Sequence, residues 1–123
     1  MDVFVKVFKA LGDKTRLRIL AALTKSKKEL CICELMDTLK LAQYNISRHM
    51  KELKIAGIVS ERKEGKFVFY SLAKTDNCFH GLIFESLKTF EDDILSEDNK
   101  RLKERLSIRK NGKCVIGITK CGR

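Results

Sequence analysis

The sequence predicts a mainly α fold carrying a β-hairpin wing, on three observations. Apolar residues recur at helical spacing in four short segments before residue 57. Two-residue alternation takes over on both sides of Glu64-Gly65, and helical spacing returns from Asp76. The chain has 123 residues, 44% apolar and 34% charged, which suits one domain with a real core.

Each element has its own warrant. In DVFVKVFKAL, residues 2–11, Val3, Phe4, Val7, Phe8 and Leu11 form one helical stripe. Gly12 interrupts it, and Asp13 can cap the next helix. KTRLRILAALTK then faces Leu17, Leu20 and Leu23 inward and its arginines outward. LCICELMDTLK reads as a third, short helix anchored by Leu35 and Leu39. QYNISRHMKELKIA is a fourth, with Ile46, Met50 and Leu53 inside and Gly57 as its stop. Ala42 is a poor N-cap, so the start of that helix calls on Gln43 or another group. Val59 on one side of Glu64-Gly65, and Phe67, Val68, Phe69 and Tyr70 on the other, are strand formers. From Asp76, the residues Phe79, Ile83, Leu87, Phe90 and Ile94 predict one long helix that Leu102 and Leu106 extend. A stripe of that length exceeds what a small domain covers, so a second copy of the chain is the expected partner.

No apolar run approaches the roughly 20 residues that span a bilayer, and the N-terminus lacks the pattern of a secretory signal. A cytoplasmic protein with no membrane partner is expected. Five cysteines (Cys31, Cys33, Cys78, Cys114 and Cys121) are an odd count, which in a reducing compartment points to thiols or metal ligands rather than a disulfide framework. Of the net charge of +10, residues 100–123 carry a surplus of eight, with nine Lys/Arg against Glu104. The expected organisation is therefore a folded body, residues 1–99, and a basic C-terminal extension, residues 100–123, holding Cys114 and Cys121. Because most of the charge lies in that extension, the arrangement of the body must decide whether nucleic acid is the partner.

Two short helices joined by a tight turn and followed by a charged hairpin make a winged helix-turn-helix. Its second helix lies in the major groove of DNA. Opposite the Ile46/Met50/Leu53 stripe lie Gln43, Tyr44, Asn45, Ser47, Arg48 and Lys51. Arg can fork onto guanine and Gln or Asn onto adenine, while Ser or Tyr can hold phosphate. Arg62, Lys63 and Lys66 at the hairpin tip suit the DNA backbone or the adjacent minor groove. His49 fits either a phosphate contact or packing beside the core.

FKALGDKTRLRILAAL, ELCICELMDTL, NISRHMKELKIAGIV and RKEGKFVFYSL together resemble the ArsR/SmtB metalloregulatory repressors, over residues ~4–95. The resemblance implies a homodimer through the first and last helices, operator DNA as partner, and derepression when a toxic ion binds. The Cys31-x-Cys33 box resembles the As(III)/Sb(III) sensor branch, whose box often reads C-x-C-x-x-C; Met36 stands at the third position. Soft thiolates prefer soft ions. Lys27, Lys28 and a helix N-terminus favour thiolate, while Glu29 and Glu34 oppose it. On a helix the two thiols would point apart, so a shared ion would have to bend or unwind the first turn and shift the helix behind the DNA-reading one. Cys78, Cys114 and Cys121 are the candidate third donors, in cis or in trans. Two alternatives keep the fold: a sensor of another soft metal ion (Cd, Pb or Zn), or a repressor whose thiols sense redox state. An enzyme is not expected, since there is no C-x-x-C motif and neither histidine stands beside a cysteine with a third group to orient it.

Overall fold

A computed structural model describes residues 1–91 and 93–109. Along the chain run α1 (Asp2–Leu11), α2 (Lys14–Ser26), β1 (Leu30–Cys31), α3 (Ile32–Leu39), α4 (Gln43–Ile55), β2 (Val59–Glu64), β3 (Phe67–Leu72), α5 (Cys78–Leu87) and α6 (Asp93–Leu106). The mainly α fold with a hairpin wing is the one observed.

The core forms where the helical stripes converge. Ile19 and Leu20 of α2, Leu35 and Leu39 of α3, and Ile46, Met50 and Leu53 of α4 are all fully or almost fully buried. Asp13 caps α2 as expected, accepting the Arg16 backbone N–H at 3.0 Å. The hairpin turns through Gly65 and Lys66, with Glu64 opposite Phe67. Gly65 has φ +60°, a conformation in which a β-carbon is strained, and two-residue hairpin loops favour glycine there.

Four expectations change. The third helix begins at Ile32, because Leu30 and Cys31 leave helical geometry and pair antiparallel with Tyr70 and Phe69, giving a three-stranded sheet of order β1-β3-β2. The long C-terminal helix is two helices, α5 and α6, which end and begin on either side of Lys88–Phe90. The arginines of α2 do not face outward. Arg16 donates to the Ala10 carbonyl at 2.6 Å, and Arg18 to both oxygens of Asp98 at 2.8 and 2.9 Å. Finally, α6 crosses the expected boundary at residues 99 and 100 and packs on α2 and α3, with Leu102 and Arg105 buried. The folded body thus takes in part of the basic extension.

The seam between α6 and α3 is built from ion pairs. Arg101 donates to the Thr38 carbonyl and to Asp98, each at 2.7 Å, and Arg105 to Asp37 at 2.7 Å. Arg18 adds a bond to the Leu39 carbonyl at 2.8 Å. Two of the last carbonyls of α3, which have no partner inside the helix, are therefore satisfied by guanidinium groups, with favourable charge at that end of the helix dipole.

Candidate functional site

Helix α4 turns Ile46, Met50 and Leu53 inward, and this leaves Gln43, Tyr44, Ser47, Arg48 and Lys51 exposed and Asn45 half-buried. Tyr44 is 73% exposed, which an aromatic ring does not gain from folding alone. Ala42, the N-cap residue of α4, makes no side-chain cap bond to the first turn. The start of a helix carries the positive end of its dipole, which favours anions. His49 does not join this face. It is buried, with Nδ1 accepting from Arg16 at 3.2 Å and lying 3.7 Å from Asp13. Burial, with Arg48 and Arg16 nearby, pushes its pKa below the ordinary imidazole value although Asp13 and Glu52 pull the other way.

At the wing, Lys63 and Lys66 are exposed. Arg62 is exposed as well but is engaged within the fold. It holds Glu29 at 2.7 Å and Glu64 at 2.7 Å, and its guanidinium lies 4.8 Å from the centre of the Phe69 ring. This pairing lowers the Glu29 carboxyl pKa and raises that of the guanidinium. The structure therefore turns Arg62 from the hairpin tip toward the β1 side of the sheet.

The thiol pair differs most from expectation. Cys31 is the N-cap of α3, with extended backbone (φ −81°, ψ 164°), and Cys33 lies in the first turn. Their sulfurs face each other at 2.8 Å, so no unwinding is needed to bring them together. They are not joined as a disulfide, and both are buried. With Phe69 and flanking Phe67 they form a small cluster on the opposite sheet face from the main core, which takes Leu30 and Tyr70. Glu34 fixes the junction. Its carboxylate accepts the Cys31 N–H at 3.0 Å, the reach-back half of a capping box.

The sequence places Glu34 beside the thiols only as a charge that opposes thiolate, and gives no sign of Arg109 there. Glu34 is fully buried, and Arg109 grips it through two bonds of 2.6 Å while also donating to the Glu29 carbonyl at 2.7 Å. A carboxylate three residues after an N-cap was a readable signal; its partner 75 residues away was not. Among the described residues, no third His, Cys, Asp or Glu completes a metal-holding group with the two thiols. Met36 packs against the main core rather than the thiol cluster. Cys78 is exposed at the start of α5. Cys114 and Cys121 lie outside the described residues.

A second apolar surface remains. Val3, Phe4 and Phe8 of α1 and Leu82 of α5 are 63%, 45%, 57% and 67% exposed, although Val7 is fully buried. Phe79 of α5 meets Phe4 and Phe8 edge-on at 4.9 and 5.5 Å, so α1 and α5 form one face. The last helix, α6, is instead occupied by its own chain. None of the described helices is long and apolar enough to cross a membrane.

Comparison with known proteins agrees with this arrangement. The profile described as bacterial regulatory protein, arsR family, matches residues 13–61. The arsenic resistance transcriptional regulator ArsR1 of Pseudomonas putida is 37% identical over 98 residues, covering 80% of this chain and 76% of the relative. A cadmium resistance transcriptional regulatory protein CadC homolog of Staphylococcus aureus is 46% identical over 72 residues, 58% of each chain. Among solved structures, HlyU from Vibrio cholerae N16961 superposes with a TM-score of 0.61 at 35% identity, covering 70% of this chain and 88% of that one.

Proposed function

The chain belongs to the ArsR family of transcriptional regulators, and from that premise we propose that it is a cytoplasmic, homodimeric repressor released from operator DNA when As(III) or Sb(III) binds Cys31 and Cys33. The observation that carries this reading is the 2.8 Å approach of the two sulfurs at the β1–α3 junction. Two thiolates so placed can bind one soft ion together, and soft ligands select soft ions.

The junction also suits a switch. Cys31 is bonded to β3 through strand pairing with Phe69, and β3 carries the wing. Cys33 lies on α3, which packs against α4. An ion held by both sulfurs therefore acts on the hairpin and on the DNA-reading helix from one point. A ligand that binds one arrangement of these elements better than the other shifts the population toward it, and operator affinity follows.

For DNA contact the reading assigns Gln43, Asn45 and Arg48 to base edges, with Ser47, Tyr44, Lys51 and the start of α4 on phosphate. Lys63 and Lys66 serve as wing contacts. Arg62 takes part there only by leaving Glu29 and Glu64. The α1–α5 face is the proposed dimer interface, because a symmetric second copy would cover the same exposed phenylalanines.

Exchanging both Cys31 and Cys33 for Ser tests the reading directly. Operator affinity should stay within a factor of a few of the parent, while arsenite no longer releases the DNA. Normal release from the double variant would place the sensor elsewhere. Titrating the complex with Sb(III), Cd(II), Pb(II) and Zn(II) separates the metalloids from other soft ions, which the similarity to a cadmium regulator makes the nearest competing inducers.

The same sulfur separation favours a second reading, in which peroxide oxidises the pair. Two thiols would lose two protons and two electrons to one peroxide, giving a disulfide and two waters. Burial of both sulfurs stands against it, since redox-sensing cysteines are accessible. Peroxide-driven release in metal-free buffer, reversed by a thiol reductant, would favour it over the first.

A further inference from the structure

We propose that Glu29 competes with DNA phosphate for Arg62, and that the Cys31/Cys33 site sets the outcome through the Phe69 ring. The proposal rests on the reading of α4 and the wing as the DNA surface and of the two thiols as the sensor; it adds how one reaches the other.

The three strands place the parts in one row. Cys31 of β1 and Arg62 of β2 are both paired with Phe69 of β3. Directly paired residues of an antiparallel sheet point to the same face. The Phe69 ring packs on the two cysteines, and the Arg62 guanidinium lies 4.8 Å from its centre. Past the ring, Arg62 reaches Glu29, which stands just before β1 at the other edge of the sheet. Its Nε and Nη2 donate to the two Glu29 carboxylate oxygens at 2.9 and 2.7 Å. The Glu29 carbonyl accepts from Arg109 at 2.7 Å, so the carboxylate is presented from a fixed point beside the cysteine junction.

Strength decides what this clasp can do. The Arg62 and Glu29 side chains are 48% and 37% exposed. An exposed ion pair contributes little net free energy, and an exposed cation–ring contact adds modestly to it. Phosphate offers a guanidinium the same forked contact as a carboxylate. Exchange of one for the other is therefore close to balance, and a small shift in the ring beneath Arg62 can tip it. The buried Arg109–Glu34 pair is different, because separating its partners would leave a charge uncompensated. Glu64 also bonds Arg62, at 2.7 Å, but it lies on β2 and moves with the wing, so it carries no signal from the cysteines.

On the operator, Arg62 leaves Glu29 for phosphate. An ion held by both sulfurs repacks the cluster under Phe69 and favours the clasped arrangement, so each wing gives up one phosphate contact. That is the difference in affinity between two states which release by a ligand requires.

Operator binding by the full-length protein, measured over a range of salt concentrations with and without arsenite, tests the assignment in Glu29→Gln, Arg62→Ala and the double variant. Without arsenite, Glu29→Gln should tighten binding about threefold, the scale of an exposed ion pair, and only while Arg62 is present. Arg62→Ala should flatten the slope of log K against log salt by about one for each wing. Arsenite should flatten the parent's slope by the same amount, leave Glu29→Gln nearly as steep as before, and leave the slope of Arg62→Ala unchanged. Tightening by Glu29→Gln that persists in full in the Arg62→Ala background would overturn the proposal, as would arsenite flattening Glu29→Gln as it does the parent. Failure of the underlying reading looks different, since the Cys31→Ser/Cys33→Ser protein would then answer arsenite as the parent does.

Discussion

The outer face of α4 and the seam between α6 and α3 are both rich in charge, and they use it in opposite ways. On α4, Arg48 and Lys51 stand exposed beside Gln43, Tyr44 and Ser47, at the start of a helix. Along α6 and just after it, Arg101, Arg105 and Arg109 are directed at Asp98, Asp37 and Glu34 of the same chain. Composition cannot tell these cations apart. A surplus of eight positive charges after residue 99 suggests a nucleic-acid arm, yet three of its nine cations are structural. In the proposed function, what marks the DNA surface is exposed cations on α4 rather than net charge.

Substitutions on the two surfaces should therefore fail differently. The largest effect is expected for Arg109→Leu, which leaves the Glu34 carboxylate buried without its cation. Breaking such a pair costs about 3–5 kcal/mol, read by urea unfolding at fixed protein concentration. A loss below about 1 kcal/mol would show that the seam does not hold the fold. Next comes the face of α4. Arg48→Ala should weaken operator binding by about 1–3 kcal/mol and relax preference at one base, while Lys51→Ala should lower the slope of log K against log salt by about one. Both should unfold within about 0.5 kcal/mol of the parent. Unfolding of either variant on the scale of Arg109→Leu would erase the distinction between the two surfaces.

The smallest effect concerns His49, which sits between them in character: a titratable group of α4 turned inward. Its folded-state pKa lies below the ordinary imidazole value of about 6.5, so the unfolded chain binds the extra proton first. Its stabilising contribution is complete above pH 6.5 and declines as pH falls toward the depressed pKa. The groups facing it are Asp13, Arg16, Arg48 and Glu52. His49→Gln should show a shallower loss of stability between pH 7 and 5 than the parent. An equal slope in the two proteins would mean that the imidazole does not titrate in that window.

Local pattern made much of this legible in the sequence. The stripes of α2 and α4, the Asp13 cap and the alternation around Gly65 each lie within a few residues and carry a clear period or turn residue. The outer residues of α4 follow from the stripe opposite them. The Cys31/Cys33 pair was visible in the sequence, but the geometry that brings its sulfurs together was not. Helical propensity around Cys31 is overridden by a two-residue strand whose partner, Phe69, lies far along the chain. The break between α5 and α6 has no proline or glycine to mark it, and the ends of α2 and α3 are lysines at φ 56° and 58° where glycine is usual. Least legible were the latches. Arg18–Asp98 and Arg109–Glu34 join residues 80 and 75 positions apart, and nothing local distinguishes those arginines from surface ones.

The Arg109–Glu34 latch also dates the proposed sensor within the life of each molecule. A chain is synthesised from its N-terminus, and its segments begin to fold in that order. The DNA-reading helix and the wing leave the ribosome while Arg109 is still unmade, so Glu34 waits without its cation and the cysteine junction without its brace. In the proposed function, responsiveness is then the last property the newborn protein acquires, and a truncated product that stops before residue 109 would inherit the proposed DNA-contact residues without the brace of the cysteine junction.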